Sequence, residues 1–429
     1  MEPVKYNLTD IPGFSELLYV NGNEYSNILK LNRVTCRTSN NARYSVITYD
    51  KNYLACDLAR TFGLCRSVIV NSQNKVVSFA PPKSVPSDQF IKNYSATMEG
   101  IVAEEFIEGT MINVFWDPSI GLTGGWEIST RNIPGATSQF FKGSNNNKTF
   151  REMFLDAAEE NNLSMNMLTP LYCYSFVLQH QENRIVAPFK KPQLYLVGLY
   201  YIENTVVSDE TENNNQPLTV TVTVCDHQDE KIKLFFDTLG VTVKFPEVYK
   251  FETYTELIEK YASMNTPYSI VGFVLHNKNT GERTKVRNPV YEQVRSLRGN
   301  QPKLQYQYLC LRKEGKVKDY LKYYPENKKE FSKFRDQIHL FTDTLYGNYR
   351  SCYIKKLKPL CDYPVEYKSH MYNIHFLYLN TMLEKKEFIT STTVKKYVNE
   401  MNPSLLMYAL NYQMRQRKVD TVYADLSFQ

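Results

Sequence analysis

Between Lys278 and Arg335 the chain carries sixteen Lys and Arg against six Asp and Glu, a local net of +10. The whole chain nets +6, so everything outside that stretch sums to about −4. Cations at this density neutralise phosphates and release the counterions condensed on a polynucleotide, the main source of sequence-independent affinity for nucleic acid. Arg295, Arg298, Lys303, Arg312, Lys313, Lys316 and Lys318 lie in or just ahead of LQYQYLCLRKEGKVKDYLKYYPENKKEF, where Tyr and Leu alternate with charge. Rings beside phosphate-binding cations give bases a surface to stack on. These seven residues are therefore expected to bind RNA or another polyanion. The same pattern also describes the solvated face of a charged helix. Salt separates the two readings, because an electrostatic footprint weakens steeply as salt is added.

Other chemistry is thinly supplied. The cysteines Cys36, Cys56, Cys65, Cys173, Cys225, Cys310, Cys352 and Cys361 include no C-x-x-C pair. The histidines are just as dispersed, His180 and His276 in strand-like runs and His370 and His375 in a helix-like one. Neither a zinc set nor a His-based triad is expected. Scattered unpaired thiols suit a reducing compartment, and the cytoplasm is the expected location. No apolar run approaches the ~20 residues needed to cross a bilayer, and the opening MEPVKYNLTDIPG is unlike a secretory signal. No membrane partner is expected.

Residues 104–131 read EEFIEGTMINVFWDPSIGLTGGWEISTR. Alone, Glu108-Gly109-Thr110 between strand-like runs describes a turn. With its surroundings, the stretch resembles the nucleotide pocket of the phage-type RNA ligase 1 family of covalent nucleotidyltransferases, and of ligase-like proteins of large DNA viruses. That family uses Lys-x-Asp/Glu-Gly, in which a lysine amine attacks the α-phosphate of ATP and carries the nucleotide as a phosphoamide. Here Phe106 occupies the nucleophile position, and a phenyl ring has no lone pair with which to attack phosphorus. Further segments match in order. CRSVIV (65–70) is similar to the family's Cys-Arg-Gly strand, and VVSFAPPKSVPSDQF (76–90) to its Ser-x-Pro-x-x-Lys-Phe-Phe segment. YSFVLQHQENRIV (174–186) is similar to Phe-Glu-Phe-Val…Asn-Arg-Ile-Val, YSIVGFVLHN (268–277) to Glu-Gly-Tyr-Val, and RTKVRNPVY (283–291) to the last motif. The resemblance implies nucleotide or phosphate binding by Arg66, Lys83, Glu108, Arg131, Lys285 and Arg287, and no catalytic residue at position 106. It implies ATP with Mg²⁺ as the ligand, the metal travelling with the nucleotide.

The departures matter as much. Ser175 stands at the Glu of Phe-Glu-Phe-Val, and Val271 at that of Glu-Gly-Tyr-Val. Carboxylates there would orient the ribose and hold a divalent cation, which a hydroxyl does poorly and an isopropyl group not at all. Sliding the motif upstream to Glu99-Gly100 puts Thr97 in the slot. Lys92 and Lys142 read as surface residues, which leaves Lys83 as the best stand-in nucleophile.

The elements that must position these groups follow from periodicity. Runs rich in β-branched and aromatic residues recur from about 66 to 290, among them SVIVN, TMINVFW, CYSFVLQ and LTVTVTVC, and imply antiparallel sheets. Glu203 to Leu218 reads as a solvated loop in a hairpin. A helix is expected from Thr149, where Thr149-x-x-Glu152 forms a capping box, and another near Thr255 with Leu257, Ile258 and Tyr261 on one side. After about residue 325 the period becomes helical. Phe334, Ile338, Phe341 and Leu345 form a stripe expected to stop at Gly347, with further helices over 368–385, 391–401 and 404–417, the last begun by Pro403. The expected fold is α+β: an antiparallel-sheet nucleotidyltransferase (ATP-grasp-like ligase) domain over 1–325, then an α-helical domain over 326–429, a layout the resemblance also implies.

Three functions fit. The first is a catalytically impaired RNA-ligase-fold protein, a pseudoenzyme binding nucleotide or RNA ends through a basic cleft. The second is an active ATP-dependent ligase or nucleotidyltransferase with a non-standard nucleophile. The third is a structural subunit of a viral assembly. The abundance of Tyr, Asn and Lys, with 33 Tyr in 429 residues, suits coding in an AT-rich genome and a viral setting.

Overall fold

Three antiparallel sheets carry the first part of the chain. A six-stranded sheet runs in the order Lys5–Asn7, Leu218–Cys225, Gln193–Val206, Tyr172–Gln179, Thr110–Asp117, Gly125–Ser129. A five-stranded sheet follows the chain from Glu24–Ser26 through Leu31–Arg37, Arg43–Tyr49 and Val68–Val70 to Val76–Phe79. A four-stranded sheet is ordered Val248–Tyr249, Ile101–Glu105, Gly272–Asn277, Arg283–Arg287. This computed structural model describes residues 2–20, 22–26, 30–38, 42–139, 148–206, 218–301 and 303–417. Lys142 and positions 207–217 of the expected hairpin loop lie outside the described residues. The strands on either side of that loop do pair, with Val206 opposite Leu218.

Alternation of side chains explains how each sheet is covered, since residues two apart share a face. The six-stranded sheet buries Phe176, Leu178, Leu194 and Leu196 under the Phe150–Glu160 and Glu230–Thr238 helices, which contribute Met153, Phe154, Ala157 and Phe236. Its other side packs Phe115, Cys173, Tyr200 and Val222 against Val46, Val68 and Phe79 of the five-stranded sheet. The four-stranded sheet buries Ala103, Phe273 and Leu275 with Phe90 and Leu257 of the Ser87–Asn93 and Tyr254–Tyr261 helices. The capping box at Thr149 is present, Glu152 N–H donating to the Thr149 hydroxyl at 3.2 Å and Thr149 N–H to the Glu152 carboxylate at 2.7 Å. The later helix is capped by Thr253, two residues ahead of the expected start.

The chain divides into two compact units, Met1–Arg295 and Ser296–Gln429. The sequence-based boundary at 325/326 is too late, because it rests on where the helical stripe is most regular. The Leu304–Lys313 and Val317–Tyr323 helices join the second unit through Tyr308 and Tyr320, whose rings lie 4.9 and 5.1 Å from that of Phe331. Phe331 belongs to the Lys328–Tyr349 helix, which buries Ile338, Phe341 and Leu345 as the stripe requires. That helix runs through Gly347 and on into a π-helical turn, Arg350–Ile354. Glycine ends a helix when it turns left-handed; otherwise it costs only about 1 kcal/mol relative to Ala. Val365–Leu377, Ser391–Glu400 and Pro403–Leu410 complete this unit, Pro403 occupying the first turn. The fold is α+β with antiparallel sheets followed by a helical C-terminal region. Among the described residues no helix is long and apolar enough to cross a membrane.

Candidate functional site

Arg283, Lys285 and Arg287 alternate with Thr284 and Val286 on the edge strand of the four-stranded sheet. Strand geometry puts the three cations on one face and sends Val286 to the core. The free edge is covered by the proline-rich segment 81–86, which can make few ladder bonds. Val85 N–H donates to the Arg283 carbonyl at 2.9 Å, and the Thr284 hydroxyl donates to the Val85 carbonyl at 2.7 Å. Buried Arg283 fastens the same segment, donating to the carbonyls of Pro82 at 2.9 Å and Pro81 at 3.3 Å. Arg66 also donates to the Pro81 carbonyl, at 3.3 Å. These contacts bring Lys83 beside the strand although two hundred residues separate them in sequence.

The result is a pocket of about 410 Å³ whose walls include Arg66, Lys83, Arg131, Lys285 and Arg287, with Tyr49, Leu54, Ser84 and Ser87. Among the described residues none of its lining side chains is a carboxylate. Burial first, and then the crowding of like charges, makes Lys285 and Arg66 less basic. Burial pushes the Lys285 amine down to about 6, with Arg283, Arg66, Arg287 and Lys83 adding to the effect. Burial, with Arg283 and Arg131 nearby, lowers Arg66 to about 10. Arg131 donates to the Arg66 carbonyl at 3.3 Å and lies 5.2 Å over the Tyr49 ring. Of the five basic residues only Arg287 has a described carboxylate partner, Glu292 at 3.4 Å, and such crowding is costly unless anions or π faces offset it.

Phe106 supplies such a face. Lys285 Nζ lies 4.7 Å from its ring centroid and the Arg287 guanidinium 5.8 Å. The residue follows the Ile101–Glu105 strand, where the chain leaves the four-stranded sheet for Thr110–Asp117 of the six-stranded one. Its N–H donates to the Gly272 carbonyl at 3.3 Å. Gly272 has φ +128°, and a Cβ there would sit 2.0 Å from the Val286 carbonyl oxygen, so only glycine permits this approach of strands beneath Arg287.

Glu108 is placed elsewhere. Its carboxylate accepts the amides of Val186 at 2.7 Å and Ala187 at 3.1 Å, tying down the connection after Tyr172–Gln179, and it does not line the basic pocket. Burial raises its pKa while those amides oppose the rise. Ser175 is fully buried and donates to Asn113 Oδ1 at 2.7 Å; Val271 is buried too. Neither offers a carboxylate for a metal. Among the described residues no group of three or more His, Cys, Asp and Glu is arranged to hold one. The described cysteines are free.

The basic run beyond residue 287 divides. Arg295 ends the first unit and pairs with Glu292 at 3.2 Å. The other six lie in the second unit. There Lys303, Lys313, Lys316 and Lys318 are exposed, Lys316 pairing with Glu314 at 2.8 Å. Arg298 lies over the Tyr324 ring, and Arg312 donates to Asn399. Of the interleaved rings, Tyr306 and Tyr323 stay half-exposed, and three are withdrawn from any stacking surface. Tyr308, Tyr320 and Tyr324 are buried, because the alternation follows the apolar face of two helices.

Sequence reasoning missed Arg283 and Tyr49. Period-two alternation through Lys285 and Arg287 points to Arg283, but nothing in sequence singles out Tyr49. It also missed a buried cluster on the same sheet face, bordering a pocket of about 510 Å³. There Glu104 Oε2 lies 3.2 Å from His227 Nε2 and 3.5 Å from His276 Nε2. Burial alone would raise the Glu104 carboxyl; His276, His227 and Lys278 outweigh it and hold the group down at about 2.

No protein-family profile matches the chain. An RNA ligase of Rhodothermus phage RM378 is 24% identical over 273 residues, 56% of this chain and 57% of that protein. The chain thus spans little more than half the length of the curated relative it matches. Among solved structures, an alanine mutant of Naegleria gruberi RNA ligase with ATP and Mn aligns at 13% identity over 46% of this chain and 51% of its own, TM-score 0.31. An apo mutant of that ligase aligns at 13% identity over 61% and 76%, TM-score 0.32. At those scores the likeness in coordinates is slight, and the sequence match is the stronger tie. In sequence, the chain resembles the RNA-ligase-type nucleotidyltransferases.

Proposed function

We propose that this chain binds a nucleotide or an RNA end through the basic pocket around Lys83 and Lys285, and that it is impaired in covalent nucleotidyl transfer. The carrying observation is the pocket's composition: five basic side chains with no carboxylate among the described lining residues, and the Phe106 ring against Lys285 and Arg287, at the position that the motif resemblance matches to an attacking amine. Such a site suits phosphates, which guanidinium and ammonium groups hold by charge-assisted hydrogen bonds. A triphosphate such as ATP matches the cations; a resident Mg²⁺ does not match Ser175 and Val271, which contribute no carboxylate oxygen. The exposed lysines of the second unit, Lys303, Lys313, Lys316 and Lys318, add a surface for RNA or another polyanion.

Binding of single-stranded RNA, followed by anisotropy at 50 and 200 mM salt, tests this reading. Replacing Lys285 and Arg287 with Ala should weaken binding and reduce the salt slope by roughly 0.7 for each phosphate that is no longer neutralised. Unchanged affinity and slope in that variant would remove the pocket from RNA binding. In parallel, the chain is incubated with α-labelled ATP or GTP and Mg²⁺ under denaturing readout; an acid-stable, hydroxylamine-sensitive label would refute impairment.

A further inference from the structure

Lys285 differs in kind from the chain's other described lysines that have acidic partners. Lys278 sits 2.5 Å from Asp226, Lys333 2.8 Å from Glu330 and Lys316 2.8 Å from Glu314, contacts that keep an ammonium charged. Lys285 instead faces a pocket with no carboxylate among its described lining residues and has Arg283, Arg66, Arg287 and Lys83 as charged neighbours. Its partly buried stem and the Phe106 ring limit hydration of the amine, while the pocket leaves the amine end reachable. A nucleophile therefore lies among groups that would seat a phosphate.

We propose that Lys285 is a site of covalent capture for phosphorylated aldehydes, with the phosphate held by Arg66, Lys83, Arg131 and Arg287 and the carbonyl carbon taken by the amine. The proposal rests on the reading above only in needing the pocket to accept phosphate. The Nζ lone pair adds to the carbonyl carbon, forming the C–N bond. The carbonyl oxygen takes one proton from the amine nitrogen and one from solvent and leaves as water, so that amine, aldehyde and one proton become a protonated imine plus one water. No oxidant or reductant is consumed. The iminium is stabilised by the phosphate beside it.

The lowered basicity supports this geometry. With its pKa near 6, about nine-tenths of the amine is neutral at pH 7, against roughly one part in 2,500 for an ordinary lysine. Weaker basicity lowers intrinsic reactivity; for a Brønsted slope of about 0.4–0.5 the loss is on the order of 10²-fold. The net advantage over a surface lysine is on the order of tenfold when Arg66, Lys83, Arg131 and Arg287 neutralise the phosphate away from Nζ; a phosphate in direct contact with Nζ protonates the amine and blocks addition.

Two sources offer this chemistry: a small phosphorylated aldehyde, and an abasic site in a nucleic-acid strand, whose open-chain aldehyde is flanked by phosphodiesters. The full chain is incubated with pyridoxal 5′-phosphate in one arm and an abasic-site oligonucleotide in the other, trapped with cyanoborohydride, and mapped by peptide mass spectrometry. The expected result in at least one arm is labelling of Lys285 at least about tenfold faster than of any other lysine. Sulfate should abolish that preference, and so should pyridoxal lacking its phosphate. The arm that labels identifies the source. Lys285→Arg removes the nucleophilic amine and should lose the preferred label; exposed Lys92, outside the pocket, replaced by Arg should leave it unchanged, and melting curves establish that both variants fold. Labels spread over surface lysines in both arms, with Lys285 unfavoured, overturn the proposal. Sulfate binding measured on the same sample tells which idea failed. Binding without preferred labelling sinks the capture site alone, whereas loss of both sinks the phosphate pocket as well.

Discussion

Anion binding at the Lys83–Lys285 pocket should draw a proton from solution. In the free protein burial and four neighbouring cations hold the Lys285 amine near 6. A phosphate seated against it adds an opposite charge, which favours the ammonium form and returns the pKa toward the ordinary lysine range. Above about pH 6, therefore, the free site is neutral at Lys285 and must be protonated to bind, and affinity falls as pH rises. If the complex stays protonated through pH 8, the dissociation constant varies as 1 + 10^(pH − 6). It then drops by about 50-fold from pH 8 to pH 6, equivalent to about 2.3 kcal/mol, and flattens below. Arg66, lowered only to about 10, stays charged throughout this window. The assay is fluorescence anisotropy with a short RNA lacking terminal phosphates, whose phosphodiesters do not titrate between pH 6 and 8, at constant ionic strength. Lys285→Met should bind more weakly at pH 6 and lose most of the pH dependence. Histidines elsewhere are common to both proteins, so the difference between the two profiles isolates Lys285. Parallel profiles, or affinity that rises with pH in the wild-type chain only, would show that Lys285 takes up no proton on binding.

Three further outcomes are expected. Phe106→Lys should acquire no nucleotide adduct with ATP or GTP and Mg²⁺, since Ser175 and Val271 still supply no metal-holding carboxylate; an adduct at position 106 in intact-mass spectra would contradict this. Glu104→Gln should destabilise the first unit by about 2 kcal/mol at neutral pH through loss of the charged acceptor that His227 meets at 3.2 Å, burial holding His276 down at about 4 and so uncharged there. Because the Glu104 pKa is depressed in the folded chain, the gap between the two denaturation curves should close as pH falls from about 4.5 toward 2, and a gap that widens there would reverse the assignment. Gly272→Ala should cost about 3 kcal/mol or more by urea unfolding, as its Cβ meets the Val286 carbonyl at 2.0 Å and its φ is +128°; a loss below about 0.5 kcal/mol would show that the strands tolerate separation.

Whatever depends on short-range periodicity and residue type was legible along the chain. The capping box at Thr149, the antiparallel strands and the stripe through Ile338, Phe341 and Leu345 are all local properties, set by backbone geometry and side-chain periodicity. The pattern of Arg66, Lys83, Arg131, Lys285 and Arg287 was legible only through likeness to a family, since nothing local says that positions 66 and 285 meet. Folding brings them together, through the Arg283 guanidinium that binds the Pro81 and Pro82 carbonyls and the Val85 bond that lays the proline segment on the sheet edge. Folding also sends Tyr308 and Tyr320 inward, where sequence permitted exposure, because an alternation of rings and charges fits both an amphipathic helix and a stacking surface, and only packing against Phe331 distinguishes them. The depressed Lys285 amine is likewise a product of assembly: a lysine's pKa reports the charges and solvent around it, and those are gathered from segments that lie far apart along the chain.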